Sequence, residues 1–109
     1  MWSYDVCADT RGRCRWQLVT THGLIVAGSG QEFVGRTNAI RAAHMFRTGT
    51  QLYDFEVLVD HAKGYRWDAI AADGRIVATS GRHFADQHEA ARSAAIVALN
   101  ASAATEPNR

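Results

Sequence analysis

The feature that most constrains this chain is its similarity to itself. The pattern from Cys14 to Gly30 returns as Tyr65 to Gly81, at an offset of 51 positions with no gap. Arg15-Trp16 stands for Arg66-Trp67, and His22-Gly23 stands for Asp73-Gly74. Ile25-Val26-Ala27-Gly28-Ser29-Gly30 stands for Ile76-Val77-Ala78-Thr79-Ser80-Gly81. Further matches pair Phe33 with Phe84, Ala39 with Ala90, Arg41 with Arg92 and Ala43 with Ala94. About fourteen identities fall over some forty aligned positions, where chance pairing would give only a few. The chain therefore reads as an internal duplication.

Each copy reads as three strands and a helix. Trp2 to Asp9 alternates, with Tyr4, Val6 and Ala8 on one face. Asp9-Thr10-Arg11-Gly12 is a turn, Arg15 to Thr21 a second strand and Leu24 to Ser29 a third. Gly30 to Arg36 is a loop from which Phe33 drops back onto the core. Thr37 to Arg47 is a helix with Ala39, Ala42, Ala43 and Phe46 as its apolar stripe. Gly49 is placed to cap it. Gln51 to Asp60 is extended, His61-Ala62-Lys63-Gly64 turns, and a hairpin follows whose Asp73-Gly74 is a strong two-residue loop signal. Asp86 with Glu89 forms a capping pair at the start of the second helix, which runs inward through Ala90, Ala94 and Val97. The first copy has Gly35 and Asn38 at those places, so its helix starts less sharply. After Leu99 the composition reads as a fraying tail.

A two-copy chain is no solenoid, and one unit alone would bury only a thin core. The expected architecture is α+β: two tandem β-β-β-α units, residues 3–47 and 54–98, packed about a pseudo-two-fold axis as a homodimer would be. They would form a single domain over residues 1–100, with an antiparallel sheet, two helices and a flexible tail over residues 101–109.

The residues that recur also resemble a known family. A strand, a tight Gly turn, an aliphatic strand ending in Ser, an aromatic residue and then a small-residue helix resemble the YegP-like family of short tandem-repeat domains. The carriers are Trp67, Asp73-Gly74, Ile76-Val77-Ala78-Thr79-Ser80 and Phe84, with their counterparts in the first copy. The resemblance implies three strands, a helix and a final strand per unit, the two units exchanging final strands within one sheet. Gln51-Leu52-Tyr53 would be the first unit's final strand, while the second unit has no apolar strand to offer after Leu99. Phe33 and Phe84 stand where the family usually has tyrosine, and the helices lack its usual Gly-Ile pair. The family brings no established activity, catalytic residue or cofactor with it.

Composition sets bounds on partners. A net charge of +1 gives no global field toward nucleic acid or anionic lipid. Lys63 is the only lysine, so the positive charge is nearly all arginine, which suits bidentate pairing and stacking. The first residues do not read as a signal peptide and no apolar run is long enough to span a bilayer. The expectation is a cytoplasmic protein that does not engage membranes.

No motif for a metal, a cofactor or a catalytic constellation stands out. Of the five histidines, His22 and His61 fall in turns, His44 in a helix, and His83 and His88 about the second helix start, with no recognised ligand spacing. Cys7 and Cys14 face each other if the intervening turn holds four residues, which makes a cross-strand disulfide conceivable. Their counterparts Leu58 and Tyr65 argue instead for two packing thiols. Ser29-Gly30 and Ser80-Gly81 end matching strands, either offering backbone N–H groups to an anion or bonding the serine oxygen to the loop backbone.

The sharper candidate site is Arg11, Arg13 and Arg15 beside Trp16, echoed by Arg66 beside Trp67. Alternation puts guanidinium groups on one face of a strand and indole on the other. Single-stranded nucleic acids are bound by sheets with exposed aromatics and phosphate-seeking arginines. Against this, the indoles share a face with Leu18 and Ala69, and Asp5, Glu56 and Asp68 offer neutralising partners across the sheet. The leading expectation is a non-enzymatic binding or interaction module; its alanine-rich helices either dock tightly on the sheet or meet a protein partner or a second copy. RNA or single-stranded DNA binding through the Arg-Trp strands is the alternative, and a small-molecule site between the repeats is a third.

Overall fold

The computed structural model describes residues 1–8 and 11–106. It is a two-layer α+β fold in which one antiparallel sheet carries two helices. The strands are β1 (Ser3–Ala8), β2 (Arg13–Val19), β3 (Ile25–Gly28), β4 (Phe33–Val34), β5 (Asp54–Asp60), β6 (Gly64–Ile70) and β7 (Ile76–Thr79). The helices are α1 (Gly35–Gly49) and α2 (Gln87–Asn100), each followed by a 3-10 turn, at Thr50–Leu52 and Ala101–Ala103. The strands run β1-β2-β3-β7-β6-β5, with β4 paired to β2 beside the main path. β2 and β6, and likewise β3 and β7, have the same length and lie 51 positions apart.

The sheet's inner face follows from alternation. In β2, Cys14, Trp16 and Leu18 are buried while Arg13 and Arg15 are exposed. Across the ladder Tyr4 pairs with Leu18, and Ala69 with Ala78, so all four enter one core with Trp67, Phe46, Ala43, Ala90, Ala94 and Val97. Trp16 and Trp67 are completely buried. Phe46 of α1 stacks on Trp16 at 5.0 Å between centroids and on Tyr53 at 5.9 Å. Residue 26 is skipped between the pairs Leu18–Ala27 and Val19–Ile25, and residue 77 between Ala69–Ala78 and Ile70–Ile76. Such a bulge brings two consecutive side chains toward one face, so Val26 and Val77 also pack on the core.

The helix starts differ as their sequences require. Asp86 accepts a hydrogen bond from the Glu89 backbone N–H at 2.9 Å, whereas no side chain caps α1. Gly49 does not cap α1 with a left-handed turn: its φ is −104° and the chain runs on into the 3-10 turn. Its missing Cβ instead leaves room for the Tyr53 hydroxyl, which donates to the Met45 carbonyl at 3.2 Å. Residues 50–52 are that 3-10 turn, so Gln51-Leu52-Tyr53 does not form a final strand.

Of the tail expected over residues 101–109, residues 101–106 are docked on the fold, and 107–109 lie outside the described residues. Ala101 and Ala104 are buried, the Tyr4 hydroxyl donates to the Ala101 carbonyl at 2.8 Å, and Arg47 Nε donates to the Ala104 carbonyl at 2.9 Å. Thr105 bridges in parallel to Ser3 at the outer edge of β1. Sequence alone misses this because small residues over 101–105 carry no apolar period. Burial pushes the Tyr4 phenol well above its ordinary range, against a smaller downward pull from the Arg47 charge.

Candidate functional site

Where β3 meets β7 the ladder shrinks to one pair, Gly28 opposite Thr79. Past it the chain leaves both strands through matching turns. The Ser29 hydroxyl donates to the Gln31 carbonyl at 2.7 Å and the Ser80 hydroxyl to the Arg82 carbonyl at 2.6 Å. Both serine oxygens are thus bound to loop backbone, closing the strands. Ser29 and Ser80 N–H groups also donate, to the carbonyls of Trp16 and Trp67. Gly30 (φ +71°) and Gly81 (φ +74°) hold the left-handed conformation these turns need. Gly30 lies against the Thr79 side chain and Gly81 against Ile25 and Ala27, so each turn rests on the other strand.

A cleft of about 610 Å³ opens beside this seam. Ser29, Gly30 and Gln31 line one side, and Thr79 to His83 with Arg66 and Asp68 line the other. Asp68 is 2% exposed, pairs with Thr79 across the ladder and is joined to Arg66 at 3.4 Å. Arg66 is half-buried, so the pair sits between water and interior, where neither full screening nor full desolvation applies. His83 Nε2 is buried without a hydrogen-bond partner among the described residues; Asp60 Oδ2 lies at 3.7 Å, close enough for charge attraction but too far for a hydrogen bond. Arg82, also in the lining, turns its guanidinium over the Phe84 ring at 4.5 Å.

The Arg-Trp residues are divided by the sheet. Trp16 and Trp67 lie under the helices and present no face to a base. Arg11, Arg13 and Arg15 are exposed, and Arg15 pairs with Glu32 at 3.4 Å. Arg15 on β2 and Arg66 on β6 are three strand steps apart, roughly 14 Å, so they do not converge on one phosphate. The register pairs Cys14 with Ala8 and Cys7 with Arg15, so the two cysteines are not opposite each other, and Cys14 is buried. Asp9 and Thr10 of the intervening turn lie outside the described residues.

Among the described residues, no three His, Cys, Asp or Glu side chains gather to hold a metal ion. No helix is long and apolar enough to cross a membrane. Sequence reading did not single out Asp68 as buried or link His83 to Asp60. The only available signal was the replacement of Gln17 by Asp68 and of Glu32 by His83 between the copies.

Two further hollows lie where the helices meet the sheet. One, of about 260 Å³, is lined by α1 residues Asn38, Arg41, Ala42, Met45 and Phe46 with Gln31, Phe33, Tyr53, Arg75 and Val77. The other, of about 300 Å³, is lined by Arg82, Phe84, Glu89, Arg92, Ser93 and Ile96. Each residue of the second lies 51 positions after a residue of the first.

No family model matches the chain, and no curated protein does either. Two solved structures do match, both solution NMR structures. A UPF0339 protein from Shewanella oneidensis is 15% identical with a TM-score of 0.76, over 97% of this chain and 90% of that one. YegP from E. coli, a protein of unknown function, is 16% identical with a TM-score of 0.76, over 98% of this chain and 92% of that one. The likeness is one of fold: the chain has a YegP-like fold.

Proposed function

We propose that this chain is a small binding module, made by internal duplication about a local two-fold axis, that takes a small polar ligand in the cleft beside the β3–β7 seam. The duplication reading draws support from the pairing of Gly28 with Thr79. These residues lie 51 positions apart and face each other, as a local two-fold axis between β3 and β7 requires. The observation that carries the binding reading is the cleft itself. Its walls come from both Ser-Gly turns, and Arg66, Asp68 and His83 bring a cation, a carboxylate and an imidazole to one side of it. Ligand sites favour such concave places with a few convergent polar groups.

The test is a screen of small polar fragments by amide NMR on the intact chain. Binders should shift Thr79, Ser80, Gly81 and His83 together, and Arg66→Met should weaken them while preserving the fold's amide pattern. A screen whose binders all map away from the seam, or which finds none at millimolar concentration, refutes the reading.

A further inference from the structure

The helix-side hollow beside α1 is a site of a different kind. Its walls are apolar: Phe33, Ala42, Met45, Phe46, Tyr53 and Val77. Two guanidinium-bearing residues, Arg41 and Arg75, stand among its lining residues, and no acidic residue does. Arg75 Nε already donates to Asp73 at 2.9 Å. Arg41 is exposed and has no acidic partner among the described residues.

The equivalent hollow beside α2 is lined differently. Arg82 stands where the first has Gln31, and its guanidinium covers the Phe84 ring. Glu89 stands where the first has Asn38, so the lining that holds Arg92 includes an acidic residue. Val97 replaces Phe46 and Ala104 replaces Tyr53, so the aromatic wall is gone. The first hollow keeps the shared Phe and Arg, with Gln31 in place of Arg82 and no acidic residue in its lining.

We propose that the α1 hollow binds a small amphipathic carboxylate, with its apolar body among Phe33, Phe46, Tyr53 and Val77 and its anionic end on Arg41. The volume, about 260 Å³, lies just below that of drug-sized ligand pockets, which suits an aryl or short alkyl acid. An apolar floor with one unpaired cation at its rim selects against neutral and cationic molecules of the same shape. The α2 hollow carries the same Phe-Arg pair with an acidic residue in its lining and its ring under Arg82, and so serves as an internal control.

The test is an amide NMR titration of the intact protein with phenylacetate and, in parallel, the isosteric neutral phenylacetamide. Phenylacetate should shift residues of the α1 hollow and leave Phe84, Ser93 and Ile96 unmoved, with the amide at least about tenfold weaker. Arg41→Gln should weaken phenylacetate by a similar factor, and Arg92→Gln should leave it unchanged; both positions are exposed and should tolerate the change. Equal binding of acid and amide, equal effects of the two arginine variants, or no shift at millimolar phenylacetate would each overturn the proposal. It does not depend on the seam cleft, whose residues other than the shared Gln31 should stay unmoved in this titration.

Discussion

Trp16 and Trp67 occupy equivalent places and are buried alike, yet only one has its indole N–H satisfied. Trp67 Nε1 donates to Ser93 Oγ at 3.0 Å. Trp16 Nε1 has no partner among the described residues, and the position corresponding to Ser93 is Ala42, on the same inward turn of α1. Placing serine at 42 should therefore supply the missing acceptor. An unpaired buried N–H costs about 1–3 kcal/mol, and part of that is recovered when it is bonded. Serine in place of alanine within a helix costs about 0.5 kcal/mol. The net expectation for Ala42→Ser is a stabilisation of about 0.5–1.5 kcal/mol, or roughly 2–6 °C in Tm for a domain of this size. Ser93→Ala should do the reverse, costing about 1–2 kcal/mol by orphaning Trp67.

Urea unfolding followed by tryptophan fluorescence measures both changes. The indole N–H resonances report directly, since the Trp16 signal should move downfield and exchange more slowly in Ala42→Ser. If Ala42→Ser destabilises the protein with no change in the Trp16 signal, or if Ser93→Ala is neutral, the account of these two indoles is wrong.

Gly64 has φ +107°, and any Cβ there would collide with the Phe84 carbonyl, so Gly64→Ala should cost about 2–4 kcal/mol in urea unfolding. Gly23→Ala, with open space around it, should cost only about 1–2 kcal/mol. Asp73 is held below its ordinary value of 3.8 chiefly by the Arg75 backbone N–H. Its ionised form thus contributes stability above that value and loses it as pH falls through the depressed one, so the deficit of Asp73→Ala should shrink on acidification from pH 7. For Tyr4 the sign is opposite. A buried phenol that stays protonated should make stability fall as pH rises beyond 10.0, and Tyr4→Phe should lose that alkaline slope while costing about 1–2 kcal/mol at neutral pH through the Ala101 contact.

Much of this fold was legible because its determinants are local. Alternation in Arg13–Val19 placed Cys14, Trp16 and Leu18 inward, Gly23 and Gly74 marked the hairpins, and Asp86 marked the start of α2. What escaped were features set by distant partners. Gly49 is small because Tyr53 folds back over it, and the two-residue β4 exists only because Cys14 and Arg13 receive it. The alanine-rich stretch from 101 is docked because Tyr4 and Arg47 hold its carbonyls, and neither is near it in sequence. The site was harder still. Arg66-Trp67 advertises charge and aromaticity, but the sheet sends the indole under a helix and leaves only the guanidinium outside. The buried carboxylate of Asp68, between two inward residues, has no pattern of its own.

The single hydrogen-bonded step between β3 and β7 has a kinetic consequence. All other adjacent strands along the sheet belong to hairpins closed within a few residues, which form on the microsecond scale, whereas the β3–β7 junction must bring together segments about fifty residues apart. Two local nuclei should therefore assemble independently and dock late. Amides flanking Gly28 and Thr79 should then acquire protection last in a pulse-labelling experiment, making this junction the rate-determining gate of folding.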